Sequence, residues 1–402
     1  MASKTVVRLF SNLIITVTIA ACGGSDASDN PSPSHPESPS QAFKFELLSG
    51  STSVNLDDCQ VVNGAAPSAR YTRLLRATAY VDAVYLVETG EGCTNVTYDA
   101  RGVVPLGVQP TIRKLSAGKV ETHIQLNDYI TNMSHPVMVR YPSGFVRTKD
   151  QGGLVLGFVA ASSGQGFTLD AAEVARYEEL GGWNFYAPGL FNFTAPMAGY
   201  SDLVAGTLGK PTKMLDGQGR SAAFFIPHDL EVDSSGLLHL IDDGHIRTID
   251  KNYEVRTLNH AALGINGVVR ALDSDSQGKI HALVKRAGGG YTWHKLSDGA
   301  QVSFETRGFV NTEPVTSESI AVVGSDMIMS VRLPSGATSI YRVASNGVVS
   351  ELTGSRTPSV AQDALDQPSQ YLMPPIQHIE YGPDGNLYAV LPQGILVARN
   401  FK

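Results

Sequence analysis

Short runs of alternating hydrophobic and polar residues recur along this chain, and four of them follow one another between positions 228 and 258. The four runs are His228–Asp233, Leu237–Asp242, His245–Asp250 and Tyr253–Leu258. An alternation of period two is typical of β-strands. Turn residues separate the runs, so the pattern predicts a four-stranded antiparallel meander. Such a sheet cannot bury both faces alone, and we expect similar sheets to stack against it.

A smaller pattern, in which a strand with a basic residue precedes a Gly or Asn turn, recurs at blade-sized intervals. Its six copies begin at Ile112, Val174, Ile246, Trp293, Tyr341 and Ile395. The sixth copy has no partner strand after it, but the alternating run Phe43–Leu47 could pair with Ile395–Arg399 and close a ring. The pattern therefore predicts an all-β fold, a single β-propeller of six blades with four antiparallel strands each. The long segment 128–200 leaves seven blades as the alternative.

The first 42 residues differ in character from the rest of the chain. A basic start precedes an apolar run that is too short to span a bilayer, which is typical of a signal peptide in residues 1–21. The run ends in Ile19-Ala20-Ala21-Cys22-Gly23, which resembles a bacterial lipobox and implies lipidation of Cys22. Residues 22–42 are rich in Ser, Pro, Gly and Asp, which predicts a disordered tether before a propeller at 43–402. An ordinary secretory signal is the alternative.

These features predict an exported, monomeric protein that is held to the membrane of a bacterial envelope by lipid on Cys22. The residue after Cys22 is not Asp, which favours the outer membrane. Cys59 and Cys93 are the other two cysteines, and a pair in an exported protein indicates a disulfide; two buried thiols or a redox pair are the alternatives. The net charge of −7 argues against nucleic acid as a partner.

The stretch from 203 to 258 also resembles the NHL repeat, a family of β-propeller blades. The matching residues are Ala205-Gly206, Asp216-Gly217-Gln218-Gly219, Ala223-Phe224, Pro227, Val232-Asp233, Gly236 and Ile246-Arg247. A partial match lies near the end of the chain, at Thr353-Gly354, Asp363, Pro374 and 382–388. The resemblance implies a propeller. Families related to these propellers include lactonases and lyases that use a metal in the axial channel, so the resemblance also raises an enzymatic function of this kind.

Three acidic residues, Glu231, Asp273 and Glu380, each lie five positions before a hairpin glycine and directly after an apolar residue. The alternation places them on the face opposite the packed one, and the first strand of a propeller blade is innermost. We therefore expect the three carboxylates to line the axial channel. Other polar residues fall at matched positions near one mouth of the channel, namely His228, Asp229, Arg270, Gln377 and His378.

Such a channel could hold a metal ion or a cationic or sugar-like ligand, and polar residues that only solvate a wet channel are the alternative. Ca²⁺ would suit the three carboxylates, whereas Zn²⁺ would suit His228, Asp229 and His378. The chain contains no HExxH, GxSxG, Walker or CxxC motif. The first functional hypothesis is a tethered module that binds or scaffolds a protein or glycan. The alternative is a metal-dependent, lactonase-like hydrolase or lyase.

Overall fold

The computed structural model describes residues 43–55, 61–89, 110–126, 129–130, 137–148, 153–161, 187–193, 200–207, 213–305, 318–333 and 335–402. The chain divides into two units, Met1–Ser40 and Gln41–Lys402, and every described residue belongs to the second. Cys22, Cys59 and Cys93 lie outside the described residues, so the lipid anchor and the disulfide stay predictions.

Six antiparallel sheets follow one another around the protein, and we number them as blades 1 to 6. The first strand of the described chain is β1 (Glu46–Gly50). Blade 1 contains β2 (Gly64–Ala65), β3 (Arg73–Ala79), β4 (Val84–Thr89), β5 (Thr111–Ser116) and β6 (Lys119–Gln125). Blade 2 contains β7 (Tyr129–Ile130), β8 (Val137–Arg147), β9 (Gly153–Ala161), β10 (Ala187–Phe193) and β11 (Tyr200–Ala205). Strand β7 joins its blade as an additional parallel strand beside β11.

The remaining four blades occupy the second half of the chain. Blade 3 contains β12 (Gly217–Gln218), β13 (Pro227–Val232), β14 (Leu238–Asp242), β15 (His245–Ile249) and β16 (Glu254–Thr257). Blade 4 contains β17 (Val268–Ser274), β18 (Ile280–Lys285), β19 (Tyr291–Lys295) and β20 (Gln301–Phe304). Blade 5 contains β21 (Glu318–Val323), β22 (Asp326–Arg332), β23 (Thr338–Val343) and β24 (Val349–Glu351). Helix α1 (Ala361–Asp366) precedes blade 6, which contains β25 (His378–Tyr381), β26 (Leu387–Leu391) and β27 (Gly394–Ala398).

Strand β1 completes blade 6 and closes the propeller. It pairs antiparallel with β27, with Glu46 opposite Val397 and Leu47 opposite Leu396. The expected closure is confirmed, but the strand begins at Glu46 rather than at Phe43. Phe45 instead donates its backbone N–H to the carbonyl of Leu365 at 2.9 Å and lies buried against blade 6. Alternation therefore located the closing strand but placed its start three residues too early.

The described strands form six blades, and those of them that lie within 128–200 belong to the single sheet of blade 2 rather than to a seventh blade. Five of the six predicted repeat copies coincide with third strands, in blades 1, 3, 4, 5 and 6. These copies are the ones that begin at Ile112, Ile246, Trp293, Tyr341 and Ile395. In blade 2 the third strand is β10, and the copy expected at Val174 lies outside the described residues. Among the described residues, no helix has the length and apolar character that a membrane crossing requires.

Hydrophobic side chains fill the spaces between neighbouring blades. Between blades 3 and 4, for example, Ile241 and Ile246 pack against Val269 and Val284, and all four are buried. The second and third strands of blade 6 are buried along their whole length, which explains why their sequences are almost continuously apolar. This packing leaves the polar residues of the innermost strands to meet around the axis.

A buried Arg–carboxylate pair anchors the loop before the inner strand in blades 1 and 3. In blade 3, Arg247 contacts Asp242 at 2.8 Å and Asp216 of the Asp-Gly-x-Gly loop at 3.2 Å. In blade 1, Arg113 contacts Glu88 at 3.0 Å and Asn63 at 2.9 Å. The side chains of Arg113 and Arg247 are fully buried. The Arg of the Ile-Arg pattern thus has a structural role. The loop at Asn63-Gly64 corresponds to the Asp-Gly-x-Gly loop of blade 3, although its sequence does not match that motif.

Candidate functional site

The innermost strands of the blades are β3, β8, β13, β17, β21 and β25, and they contact their neighbours around a closed ring. The site that we describe consists of six side chains on four of these strands. We call it the axial cluster, and its members are Arg76, Asp229, Glu231, Asp273, His378 and Glu380. Five of the six were candidates from the sequence, and Arg76 was not.

The three aligned carboxylates occupy equivalent places in their blades. Glu231 lies opposite His239, Asp273 opposite His281 and Glu380 opposite Tyr388, and each of these partners is the second residue of the second strand. The three residues are buried, with 5 to 9% of their surface exposed. The three residues that were aligned on hairpin glycines thus lie at equivalent positions of blades 3, 4 and 6.

Arg76 is the cation at the centre of the axial cluster. Its guanidinium bridges two carboxylates of blade 3, with Nη1 on Oδ1 of Asp229 and Nη2 on Oε1 of Glu231. The side chain of Arg76 is only 4% exposed. A charge this deeply buried is tolerated only where opposite charges and hydrogen bonds compensate it. These two contacts of Arg76 join blade 1 to blade 3.

Irregular strand pairing determines the direction of the Asp229 and Arg76 side chains. The pairing of β13 with β14 shifts between His228 and Glu231, and Asp229 within this bulge has a positive φ of 53°. Asp adopts this left-handed conformation more readily than most residues do. The pairing of β3 with β4 likewise shifts just before Arg76. Bulges redirect a side chain that strict alternation would send elsewhere.

The members of the axial cluster also connect neighbouring blades through backbone N–H groups. Asp229 accepts a hydrogen bond from Leu272 N at 3.0 Å, and Asp273 accepts one from Val322 N at 2.6 Å. Glu380 accepts one from Ala79 N at 2.9 Å. Each carboxylate thus holds the inner strand of the next blade, in addition to contributing its charge.

Carboxyl groups outnumber the cationic side chain of this cluster by four to one. Burial, and then the neighbouring carboxylates, raise the pKa of Asp273 well above its usual value. Burial and the charge of Glu231 raise the pKa of Glu380 to about 8. Burial also raises the pKa of Glu231, although Arg76 opposes the shift. These shifts show that the cluster has more carboxylates than Arg76 can neutralise, so protons are held there near neutral pH.

Asp229 and His378 respond differently to the same surroundings. Burial disfavours the charged form of Asp229, but the charge of Arg76 and the neighbouring His228 hold its pKa well below its usual value. Burial and the nearby Arg76 lower the pKa of His378, so its imidazole is neutral. Its Nδ1 accepts a long hydrogen bond from Ala77 N at 3.5 Å, which places the ring proton on Nε2. Asp229 is therefore ionised at neutral pH.

The axial cluster does not fit a divalent metal ion while Arg76 occupies it. The guanidinium holds one oxygen each of Asp229 and Glu231, and Nδ1 of His378 faces a backbone N–H. Over the described part of the chain, no group of three or more His, Cys, Asp or Glu side chains is arranged to hold a metal. The cation that the residues present do fit is the guanidinium itself.

The other predicted channel residues lie at the edge of the cluster. His228 approaches Asp229 at 4.0 Å and is partly exposed. Arg270 is directed to blade 5, where its Nε donates to Glu318 at 3.0 Å. Gln377 precedes β25, is half-buried, and donates its backbone N–H to Val390 at 2.7 Å. Arg270 and Gln377 therefore do not join the six residues of the axial cluster.

The inner strand of blade 1 could not be aligned from the sequence. Its hairpin, Tyr80 to Ala83, contains no glycine, so the marker that aligned blades 3, 4 and 6 is missing. The one available signal was a charged residue among apolar neighbours, in Leu74-Leu75-Arg76-Ala77. Glu318, which pairs with Arg270, also follows no glycine-based pattern.

Comparisons with known proteins find similarity in structure only. No protein-family model matches the sequence, and no curated protein matches it. The structure resembles a protein of unknown function from Bacteroides thetaiotaomicron, with 13% identity, 89% of this chain and 76% of that chain covered, and a TM-score of 0.49. It also resembles virginiamycin B lyase from Staphylococcus aureus, with 11% identity, 89% and 99% of the two chains covered, and a TM-score of 0.41. These neighbours are β-propeller proteins, and similarities this distant carry no information on ligand or reaction.

Proposed function

We propose that this protein is an envelope-tethered binding module whose axial mouth receives a cationic side chain of a protein partner. The surplus of buried carboxylates over cationic groups in the axial cluster is the observation that carries the proposal. Asp229, Glu231, Asp273 and Glu380 share the charge of Arg76, which affects the pKa of all four. An added cation would favour the ionised forms of these carboxyls and would compensate the burial that raises their pKa.

The edge of the cluster provides the route for such a group. Asp229 and His228 each keep 19% of their side-chain surface exposed, whereas Arg76 is nearly inaccessible. A Lys or Arg side chain of a partner can therefore approach Asp229 from the mouth. The lipid on Cys22 and the tether would keep the propeller at the membrane while it binds. A metal-dependent reaction is not proposed, because Arg76 takes the place of the metal.

Calorimetry with tri-arginine tests this function. Tri-citrulline, which has nearly the same shape without the charge, is the control ligand. We expect tri-arginine to bind and the affinity to rise with pH through about 8, because a cation favours the ionised form of Glu380. Arg peptides keep their charge throughout this range.

Amide variants identify the site of binding. Glu380→Gln and Asp273→Asn keep an acceptor for Ala79 N and Val322 N but remove the charge. We expect each to weaken tri-arginine binding by about tenfold or more. Asp298→Asn, at a carboxylate on an exposed hairpin, is the matched control and should bind like the wild type. Equal binding of tri-citrulline, or binding that is insensitive to both amide variants, would exclude the axial mouth as the site.

A further inference from the structure

A cavity lies on the outer part of blade 4, where the third and fourth strands of the blade line it. Its volume is about 440 Å³, within the range of small-molecule sites. We call it the blade 4 cleft, and its polar side chains come from the connection before β17, the turn before β19, and strands β19 and β20. Six of them are Asn266, Arg286, Thr292, His294, Gln301 and Ser303.

The alternation of β19 explains why this cleft is polar. Tyr291 and Trp293 pack into the hydrophobic cluster that blade 4 shares with blade 5. Thr292 and His294 point the opposite way and line the cleft, where the hydroxyl of Thr292 lies 3.2 Å from that of Ser303. The strand therefore has one apolar face, which packs between blades 4 and 5, and one polar face, which lines the cleft.

His294 is the strongest indication of a ligand in the blade 4 cleft. The residue is only 2% exposed, and among the described residues its buried Nδ1 has no hydrogen-bond partner. Burial lowers the pKa of His294, so the ring is neutral and presents one donor and one acceptor nitrogen. Buried polar atoms in folded proteins are almost always paired, and an unpaired one beside a cavity indicates a missing partner.

Arg286 presents a second unpaired nitrogen at the same cleft. Its Nη2 contacts the carboxylate of Glu305 and the carbonyl of Phe304, whereas its buried Nε has no partner among the described residues. Gly290, with a positive φ of 68°, lies directly under this ion pair, and a Cβ there would meet both Arg286 and Glu305. The glycine thus permits the pair to lie at the entrance of the cleft.

Donors and acceptors are mixed in the cleft, and the one ion pair adds no net charge. A free anion would be repelled by Glu305 and a free cation by Arg286. A sugar hydroxyl both donates and accepts, so one hydroxyl can accept from Arg286 Nε or His294 while donating to Glu305 or to a Thr or Ser oxygen. We propose that the blade 4 cleft is a binding site for a neutral saccharide. This site is separate from the axial mouth and does not depend on the function proposed for it.

Saturation-transfer NMR and calorimetry on the full folded propeller test the proposal. The probes are glucose, galactose, mannose and N-acetylglucosamine. We expect at least one of them to bind, His294→Ala to weaken that binding by about tenfold or more, and Ser303→Trp, which fills the cleft, to abolish it. Glu380→Gln in the axial cluster should leave the sugar affinity unchanged.

Ser350→Trp is the matched control, because Ser350 pairs with Arg342 on blade 5 as Ser303 pairs with Thr292 on blade 4. This variant should bind sugar like the wild type. If Ser303→Trp does not fold, His294→Ala and Gln301→Ala decide the question. The proposal is overturned if none of the four sugars binds the wild type, or if the cleft variants bind as the wild type does. Neither outcome of the sugar experiment bears on whether tri-arginine binds at the axial mouth. The two proposals can therefore fail separately.

Discussion

At the scale of single residues, Arg76 determines the character of the axis. It is a nearly inaccessible cation held by two carboxylates from another blade. Glu231, Asp273 and Glu380 could be predicted because a hairpin glycine marks each of their blades at the same distance. Arg76 could not, since its own turn lacks this marker. The sequence suggested a metal site at the axis, whereas the structure shows carboxylates around the guanidinium of Arg76.

Substituting Arg76 tests this interpretation. Arg76→Met should lower the free energy of unfolding by about 3–5 kcal/mol, because Asp229 and Glu231 would remain buried without their cation. Urea denaturation at pH 7 measures the change. Arg73→Met on the same strand, where the side chain is partly exposed, should change it by only about 0.5 kcal/mol. A similar cost for both substitutions would contradict the central place given to Arg76.

At the scale of secondary-structure elements, the propeller depends on its closing strand. Alternation and the unpartnered strand at Ile395–Arg399 predicted a partner near residue 45, and β1 provides it. The exact register depends on contacts that lie far away in sequence. Ser49 is fully buried, and its hydroxyl donates to Ala66 of blade 1 at 2.6 Å. These contacts fix β1 at 46–50 and leave Phe43 and Phe45 to pack against the hydrophobic core.

Two truncations separate the closing strand from the tether. A chain that begins at Phe43 lacks the tether but keeps β1, and we expect its melting temperature to match that of the longer protein. A chain that begins at Ser51 exposes the edge of β27 and loses Phe45 from the core. We expect it to melt at a clearly lower temperature and to aggregate, since open sheet edges pair with other chains. Equal melting temperatures for both chains would show that β1 is dispensable.

At the scale of the whole molecule, the axial carboxylates connect the stability of the propeller to pH. Glu380 has a usual pKa of 4.5 and a folded pKa of about 8, so the folded state binds its proton more tightly than the unfolded state does. Its contribution is fully present below pH 4.5 and is lost as the pH rises to about 8. Asp229 acts in the opposite direction, since its lowered pKa stabilises the folded protein at neutral pH and is lost in acid.

Denaturation between pH 7 and pH 8 tests this link, because this interval lies above the usual pKa of 6.5 of the histidines whose pKa burial lowers. We expect the free energy of unfolding of the wild type to fall over this interval, by at most about 1.4 kcal/mol per pH unit for each proton involved. Glu380→Gln cannot lose a proton, so its profile should be flatter and it should be more stable than the wild type at pH 8. A wild-type profile that rises or stays level over this interval would contradict the raised pKa values.

The sequence by itself determined that this protein is built from blades of short antiparallel strands and which strand closes the ring, whereas the choice of six blades over seven needed the structure. These features depend on local alternation and on turn residues such as Gly236 and Gly385, which act over a few positions. Only the tertiary structure decided which charges meet at the axis. Arg76 reaches Asp229 across 153 positions and Ala77 reaches His378 across 301. These long-range contacts depend on strand bulges and on the packing between blades. Neither produces a periodic pattern in the sequence.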